Sequence, residues 1–233
     1  MLLENLYRKK QVIFGAIMEV PVRKMYISDL HFGHAILNDA MDCRGFASAD
    51  EMNEYMIKKW NEKVTDIDEV YILGDFSVIF AKKTNEILDQ LKGKLFLIRG
   101  NHDKFLMDRK CNLKRFEWIK SYAEIEDNGR SVILSHYPVF CYNGQYRRDK
   151  QGNSTAYMLY GHVHNTTDEK LINSFIMATR NERVKTMQGD WMNIPCNMIN
   201  CFAMFSDYTP LTLDEWIDVD RERRKKCSES MQQ

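Results

Sequence analysis

The stretch Ile27-Ser28-Asp29-Leu30-His31-Phe32-Gly33-His34 decides how the rest of the chain is read. It places a carboxylate and two imidazoles directly after Met25-Tyr26-Ile27, an apolar run with the character of a buried strand. In α/β proteins ligands bind in the loops beyond the carboxyl ends of strands. A strand that ends in Asp-x-His therefore delivers two metal-capable side chains to one rim. Asp and His also serve as ordinary turn and cap residues, so the stretch gains its weight from later segments that repeat the pattern.

Strands are expected at residues 22–27, 69–73, 94–98, 130–134 and 156–160. Each leads into a loop with polar ligand types: Gly74-Asp75, Gly100-Asn101-His102-Asp103, Ser135-His136 and Gly161-His162-Val163-His164. Helices are expected between them. Ser48 with Glu51 forms a capping box, and Met52, Tyr55, Met56 and Trp60 recur at helical spacing over 48–61. Residues 84–91 read as a short amphipathic helix stopped by Gly93. Residues 165–181 read as a longer one with an apolar face of Leu171, Ile172, Phe175 and Ile176. A closing strand or strand pair is expected over 193–205 and a last short helix from Thr212, with residues 221–233 a frayed polar tail. Strands alternating with helices indicate an α/β domain, here residues 21–220 after an N-terminal extension of residues 1–20.

Composition narrows the function classes. The 233 residues suit one domain, and 44% hydrophobic with 28% charged residues is an ordinary globular balance. Lys+Arg and Asp+Glu are both 33, so a broad electrostatic nucleic-acid binder is disfavoured, though a local basic patch is allowed. No apolar run approaches the ~20 residues of a spanning helix. Six cysteines without a C-x-x-C pair fit reduced thiols in the cytoplasm. Residues 8–18 faintly resemble a signal peptide, but Glu19 interrupts and no small-x-small cleavage site follows.

All six histidines, 31, 34, 102, 136, 162 and 164, lie in loops that follow expected strands. Asp29, Asp75, Asn101 and Asp103 join them there. A His/Asp/Asn set without cysteine suits divalent ions of borderline or hard character: Mn, Fe, Zn, Ni or Mg. Seven or more ligands exceed the needs of one ion and match a two-metal site with a shared carboxylate. Such a pair can bridge and acidify a water while binding phosphate oxygens.

The ordered blocks Asp29-x-His31, Gly74-Asp75, Gly100-Asn101-His102-Asp103, His136 and Gly161-His162-Val163-His164 resemble the calcineurin-like metallophosphoesterase superfamily, in particular a branch of small bacterial and phage members. The resemblance covers about residues 25–164. It implies a four-layer α/β/β/α sandwich of two mixed sheets. It also implies one metal held by Asp29, His31 and His164 and a second by Asn101, His136 and His162, with Asp75 bridging. His102 would protonate the leaving group, oriented by Asp103, and a hydroxide between the ions would attack phosphorus.

Two further residues are candidate substrate contacts: His34, near the metals, and Arg44, whose guanidinium suits bidentate phosphate binding. Residues 140–153 could form a specificity loop or an ordinary surface loop. Lys104, Arg109, Lys110, Lys114 and Arg115 read as a solvated helix face. The expected function is hydrolysis of phosphate mono- or diesters on a small phosphorylated or nucleotide substrate, with manganese the first choice of metal and no membrane partner. A metal-dependent nuclease and a non-catalytic scaffold of the same fold are the alternatives.

Overall fold

A computed structural model of the chain describes residues 10–13, 16–19, 21–187 and 189–230. Strands β1 (Lys10–Ile13) and β2 (Ala16–Glu19) pair antiparallel, and the rest of the expected extension lies outside the described residues. Strands β3 (Lys24–Ile27), β4 (Glu69–Ile72), β5 (Lys94–Ile98) and β6 (Phe116–Lys120) form a first four-stranded sheet in that order, every pair parallel. Helices α1 (Ala49–Lys63) and α2 (Ala81–Leu88) supply the crossovers from β3 to β4 and from β4 to β5.

The second sheet begins one residue after β6, with Ser121 between β6 and β7 (Tyr122–Asp127). Asn128 and Gly129, both at positive φ, turn β7 back into β8 (Arg130–Ser135), the backbone that a two-residue hairpin requires. Strand β9 (Ala156–Tyr160) pairs parallel to β8. Helix α3 (Thr167–Asn181) follows, then a small antiparallel pair, β10 (Arg183–Lys185) and β11 (Trp191–Asn193). Strand β12 (Met198–Asn200) pairs parallel to β9 and completes the order β12-β9-β8-β7. The expectation of two mixed sheets is thus corrected: only the second is mixed, because only it contains a hairpin.

Side-chain alternation sorts the core into three clusters. Met25, Ile27, Val70, Ile72, Leu95 and Leu97 pack with Met52, Met56 and Trp60 of α1 and Ile87 and Leu88 of α2. Their sequence neighbours Tyr26, Tyr71, Leu73 and Ile98 face the other way, onto Val132, Leu134, Leu159 and Ile199 of the second sheet. Ile133, Met158, Tyr160 and Met198 point away from that contact and meet Ile172 and Ile176 of α3. Period-two alternation in both sheets makes these faces, so β3, β4, β5, β8 and β9 are buried on both. Helix α4 (Leu213–Ser230) lies where β3 and β12, the sheet edges, come together. Leu213 and Trp216 enter the cluster between the sheets, and Trp216 Nε1 donates to Tyr26 O at 2.8 Å.

Several local expectations shift. Ser48 caps α1 by accepting from Glu51 N at 3.0 Å, but the Glu51 carboxylate accepts from Ala47 N rather than from Ser48. Helix α2 starts at Ala81, and Thr84 lies inside it, its hydroxyl paired with Ser77 Oγ and donating to Ile79 O. Leu171 and Phe175 of α3 are exposed, leaving Ile172 and Ile176 as its inward residues. The basic run is not a helix face. Lys104–Met107 and Leu113–Arg115 are single 3-10 turns, and Arg115 is spent on the carbonyls of Leu88, Leu91 and Gly93. The expected frayed tail instead continues α4, where Arg223 pairs with Glu169 and Arg224 with Asp220. Among the described residues five cysteines are free thiols, and no helix is long and apolar enough to cross a membrane.

At the end of the first sheet away from the histidine loops, buried Asp68 accepts from Arg23 Nε (3.0 Å) and Nη2 (2.7 Å) and from Thr65 N (2.7 Å) and Oγ1 (2.8 Å). Burial works to raise its pKa, but these donors outweigh it and hold the carboxyl below its ordinary value. A depressed carboxylate stabilises the fold above its unfolded pKa, and that stability disappears as pH falls through the folded value. Urea unfolding should therefore show Asp68→Ala destabilised by about 2 kcal/mol at pH 7. The gap to wild type should narrow markedly by about pH 3, below the unfolded carboxylate pKa.

Candidate metal centre

Because β3, β4, β5, β8 and β9 run parallel, the loops that follow them emerge at one end of the molecule. Backbone hydrogen bonds join these loops: Asp29 N to Gly74 O at 3.1 Å, His31 N to Asp75 O at 2.8 Å and Gly161 N to His136 O at 3.0 Å. The strands thus continue as a web of backbone contacts around the ligand residues. Asp29, His31, Asp75, His162 and His164 all have φ between 48° and 71°, a left-handed backbone that non-glycine residues rarely adopt. Strain of this kind persists where surrounding structure over-determines it and clusters at functional sites.

The glycines preceding the ligands serve close approach. A Cβ on Gly100 would overlap the Asp75 carboxylate and amide nitrogen, and one on Gly161 would overlap the Asp29 carboxylate and Ser28. Those contacts let Asp75 Oδ1 accept from His102 N at 2.7 Å and let both Asp29 oxygens accept from His162 N at 3.0 Å.

All seven residues expected to bind metal come together. Ligand atoms of Asp29, His31 and His164 lie within 4.8 Å of one another, as do those of Asp29, Asp75 and His136. Asp75 Oδ2 is 3.5 Å from both His31 Nε2 and His136 Nε2, a position between the two groups. Asn101 Oδ1 lies 2.9 Å from His136 Nε2 and 3.0 Å from His162 Nδ1.

The donor chemistry fits cations. His136 Nδ1 is 2.9 Å from Leu73 O, which places the proton on that nitrogen and leaves a lone pair on Nε2. That lone pair faces Asn101 Oδ1 and Asp75 Oδ2, both acceptors. His31 Nε2 and His164 Nε2 face each other at 3.1 Å. Burial pushes His31 down to about 2, so it is neutral. Burial also opposes charge on His164, but its contacts with Asp29 and Asp42 raise it to about 9. Burial raises Asp75 despite the neighbouring histidines. Convergent lone pairs sharing at most a proton are what a divalent ion satisfies, and such an ion displaces the proton when it binds.

Two expected roles are corrected. Asp103 does not orient His102: its carboxylate accepts from Asp75 N (3.0 Å), Phe76 N (2.7 Å) and Gly100 N (2.8 Å), bracing the Asp75 loop against the β5 loop. Arg44 is not a substrate contact. Its buried guanidinium donates to Leu30 O at 2.7 Å and Asp29 O at 2.9 Å, and from Nε to Asp42 Oδ2 at 2.9 Å. His34 does lie at the site, its ring 5.2 Å from His31 and 5.9 Å from His102. The His102 ring is 5.2 Å from that of His31.

Sequence reasoning missed Asp42 and Tyr137. Asp42 Oδ1 is 2.7 Å from His164 Nδ1, which fixes the tautomer that turns Nε2 inward. The signal was available in Asp42-Cys43-Arg44: a carboxylate and a guanidinium two residues apart can satisfy each other in a buried loop. Half-exposed Tyr137 packs edge-on against His162 with ring centroids 4.5 Å apart. Partners of this type are typically worth 10–100-fold in metal affinity. Asp42→Ala should weaken metal binding by about that factor in a competitive chelator titration, with Asp42→Asn intermediate and circular dichroism confirming the fold.

The chain is similar in sequence or fold to several known proteins. An uncharacterized protein of Methanocaldococcus jannaschii is 39% identical over 153 residues, spanning 64% of this chain and 74% of that one. The gene 66 protein of Mycobacterium phage D29 is 29% identical over 160 residues, spanning 60% and 77%. A solved structure from Aquifex aeolicus, of a protein of unknown function, matches in fold with a TM-score of 0.57 at 24% identity, over 85% of this chain and 98% of that one. The family model for the calcineurin-like phosphoesterase superfamily domain matches residues 23–177, from the residue before β3 into α3. That span takes in every convergent donor described above, and the chain belongs to the calcineurin-like phosphoesterase superfamily.

Proposed function

We propose that the chain hydrolyses phosphate esters with two divalent cations, manganese the first candidate. Asp29, His31 and His164 hold one; Asn101, His136 and His162 hold the other, with Asp75 shared. The observation that carries this reading is the placement of Asp75 Oδ2 at 3.5 Å from an imidazole nitrogen of each group. Ions so held supply Lewis acidity to the phosphoryl oxygens and bring a water into a reactive ionisation range.

The chain's own residues do the rest. Leu73 O and Asp42 fix the ring orientations of His136 and His164, so that both aim Nε2 inward. Asp103 and the bond from His102 N to Asp75 Oδ1 keep the β4 and β5 loops in register. His102 is half exposed beside His31 and His34, close enough to the metal-binding donors to reach a departing ester oxygen and protonate it. His34 is pushed down by burial and by His102 and Arg44, so it meets substrate as a neutral imidazole. Arg115 of the basic run is bound to backbone carbonyls and adds nothing to the nuclease alternative. The substrate we favour is a small phosphorylated molecule.

The test is turnover of bis-p-nitrophenyl phosphate and p-nitrophenyl phosphate with manganese and with chelator. Chelation should abolish activity, and Asp75→Asn should lower kcat/KM by about a thousandfold, equivalent to roughly 4 kcal/mol. Near wild-type activity in that variant overturns the assignment. His102→Ala should retain its metals and lose about 10²–10⁴ in rate on poor leaving groups, with a smaller loss on nitrophenolate. An equal loss on both removes the acid role.

A further inference from the structure

The molecule has a second charged concavity, at the end of the second sheet remote from the histidine loops. A cleft of about 280 Å³ is lined by Tyr157 near the start of β9, Asn197 just before β12, Arg180 near the end of α3, and Asp220, Arg221 and Arg224 of α4. Tyr157 precedes His162 by five residues along β9 and its loop, about 16 Å of extended chain, so the cleft is separate from the metal centre.

We propose that this cleft is a binding site for a small phosphate-bearing anion, gripped by the Arg180 guanidinium. Three guanidinium groups line it against one carboxylate. Arg224 is committed: Nε donates to Asp220 Oδ2 at 2.7 Å, Nη1 to Asn173 Oδ1 at 2.6 Å and Nη2 to Met198 O at 3.2 Å. Arg180 is not. Among the described residues its side chain makes one hydrogen bond, from Nε to Cys196 O at 2.9 Å, leaving both Nη groups without a protein acceptor. A guanidinium with one edge free offers parallel donors that match two oxygens of a phosphate. Burial pushes Arg180 below its ordinary value, and the charge of Arg224 pushes it further, a repulsion that an anion between them offsets.

Asp220 fixes the wall of the cleft. Its side chain is more than nine-tenths buried, Oδ2 is taken by Arg224, and Oδ1 has no hydrogen-bond partner. Because that oxygen is sealed from solvent, Asp220 offers the ligand no acceptor; its role is to hold the Arg224 fork in the wall of the cleft beside Arg180. The volume of about 280 Å³ suits a small ligand, just under the usual range of drug-sized pockets.

The experiment is calorimetric titration of inorganic phosphate into the full chain after its metals have been stripped with chelator and the chelator removed, so that the histidine loops do not retain the anion through an ion. Saturable one-site binding is expected in wild type and in Asp75→Asn. Arg180→Met should weaken it at least about tenfold, the effect of losing a charge-assisted contact. Arg180→Lys, which keeps the charge and loses the fork, covers the case in which the methionine variant does not fold, and should also weaken binding. Absence of saturable binding in wild type overturns the proposal. So does equal binding by the Arg180 variants, or a loss confined to Asp75→Asn. No turnover is measured, so this test can fail while the hydrolase assignment stands, and the reverse.

Discussion

The carboxylates of Asp29 and Asp75 lie almost wholly out of water where five loops meet, and the rest of the structure is arranged around keeping them there. Burial alone would drive both toward the neutral acid, which is useless as a cation ligand. Asp29 escapes that: burial raises its pKa, but His164, His136 and His31 overcome the effect and hold it well below the usual carboxylate range. The backbone helps by aiming N–H groups at the oxygens, His162 N at Asp29 and His102 N at Asp75. The convergent donors are therefore mutually dependent. Each imidazole removed takes away part of what offsets the burial of a neighbouring carboxylate.

Such mutual dependence dictates the backbone. For the N–H of one loop to reach the carboxylate of another, the chains must approach within side-chain distance, which only glycine permits at positions 100 and 161. The ligand residues must then leave the strand direction abruptly, and five of them do so in the left-handed region. At 1–2 kcal/mol for each non-glycine residue in that region, the accumulated strain is comparable to the net stability of a small domain. It is tolerated because each loop springs from a strand buried on both faces, so three apolar clusters anchor the polar end. Rigid strands with strained, polar termini are one solution to a single requirement.

The same logic explains what could be read in the sequence. Strands buried on both faces are near-continuous apolar runs, so β3, β4, β5, β8 and β9 stood out, and the glycine-ligand pairs at their ends could be read as motifs. Strands β6 and β7 are sheet edges with one wet side; their Glu, Lys and Asp residues break the apolar pattern. Helix α4 past Asp220 was hidden in a different way. Its run of charges has the composition of a solvated tail, yet Arg223 and Arg224 face inward onto Glu169, Asp220 and Asn173. Composition reports which residues are charged and not which charges have partners. At the site, the convergent donors were legible because residue types able to bind a metal are few. The roles of Asp103, Arg44 and Asp42 were not, because their partners are backbone groups and side chains brought near only by the fold.

Arginine makes that last distinction general for this chain. Arg23 bonds to Lys63 O, Arg44 to Leu30 O and Asp29 O, Arg115 to three carbonyls, Arg148 to Gly152 O, Arg180 to Cys196 O and Arg224 to Met198 O. Carbonyls at helix ends and loop bends need donors, and a planar fork with five N–H groups can satisfy several at once where an ammonium on a flexible stem holds no fixed geometry. An arginine beside a candidate metal centre is thus no pointer to phosphate when its fork is already filled, as in Arg44. The informative guanidinium is one whose donors outnumber its acceptors. By that measure Arg180, far from the histidines, carries more unspent binding capacity than Arg44, which sits beside them.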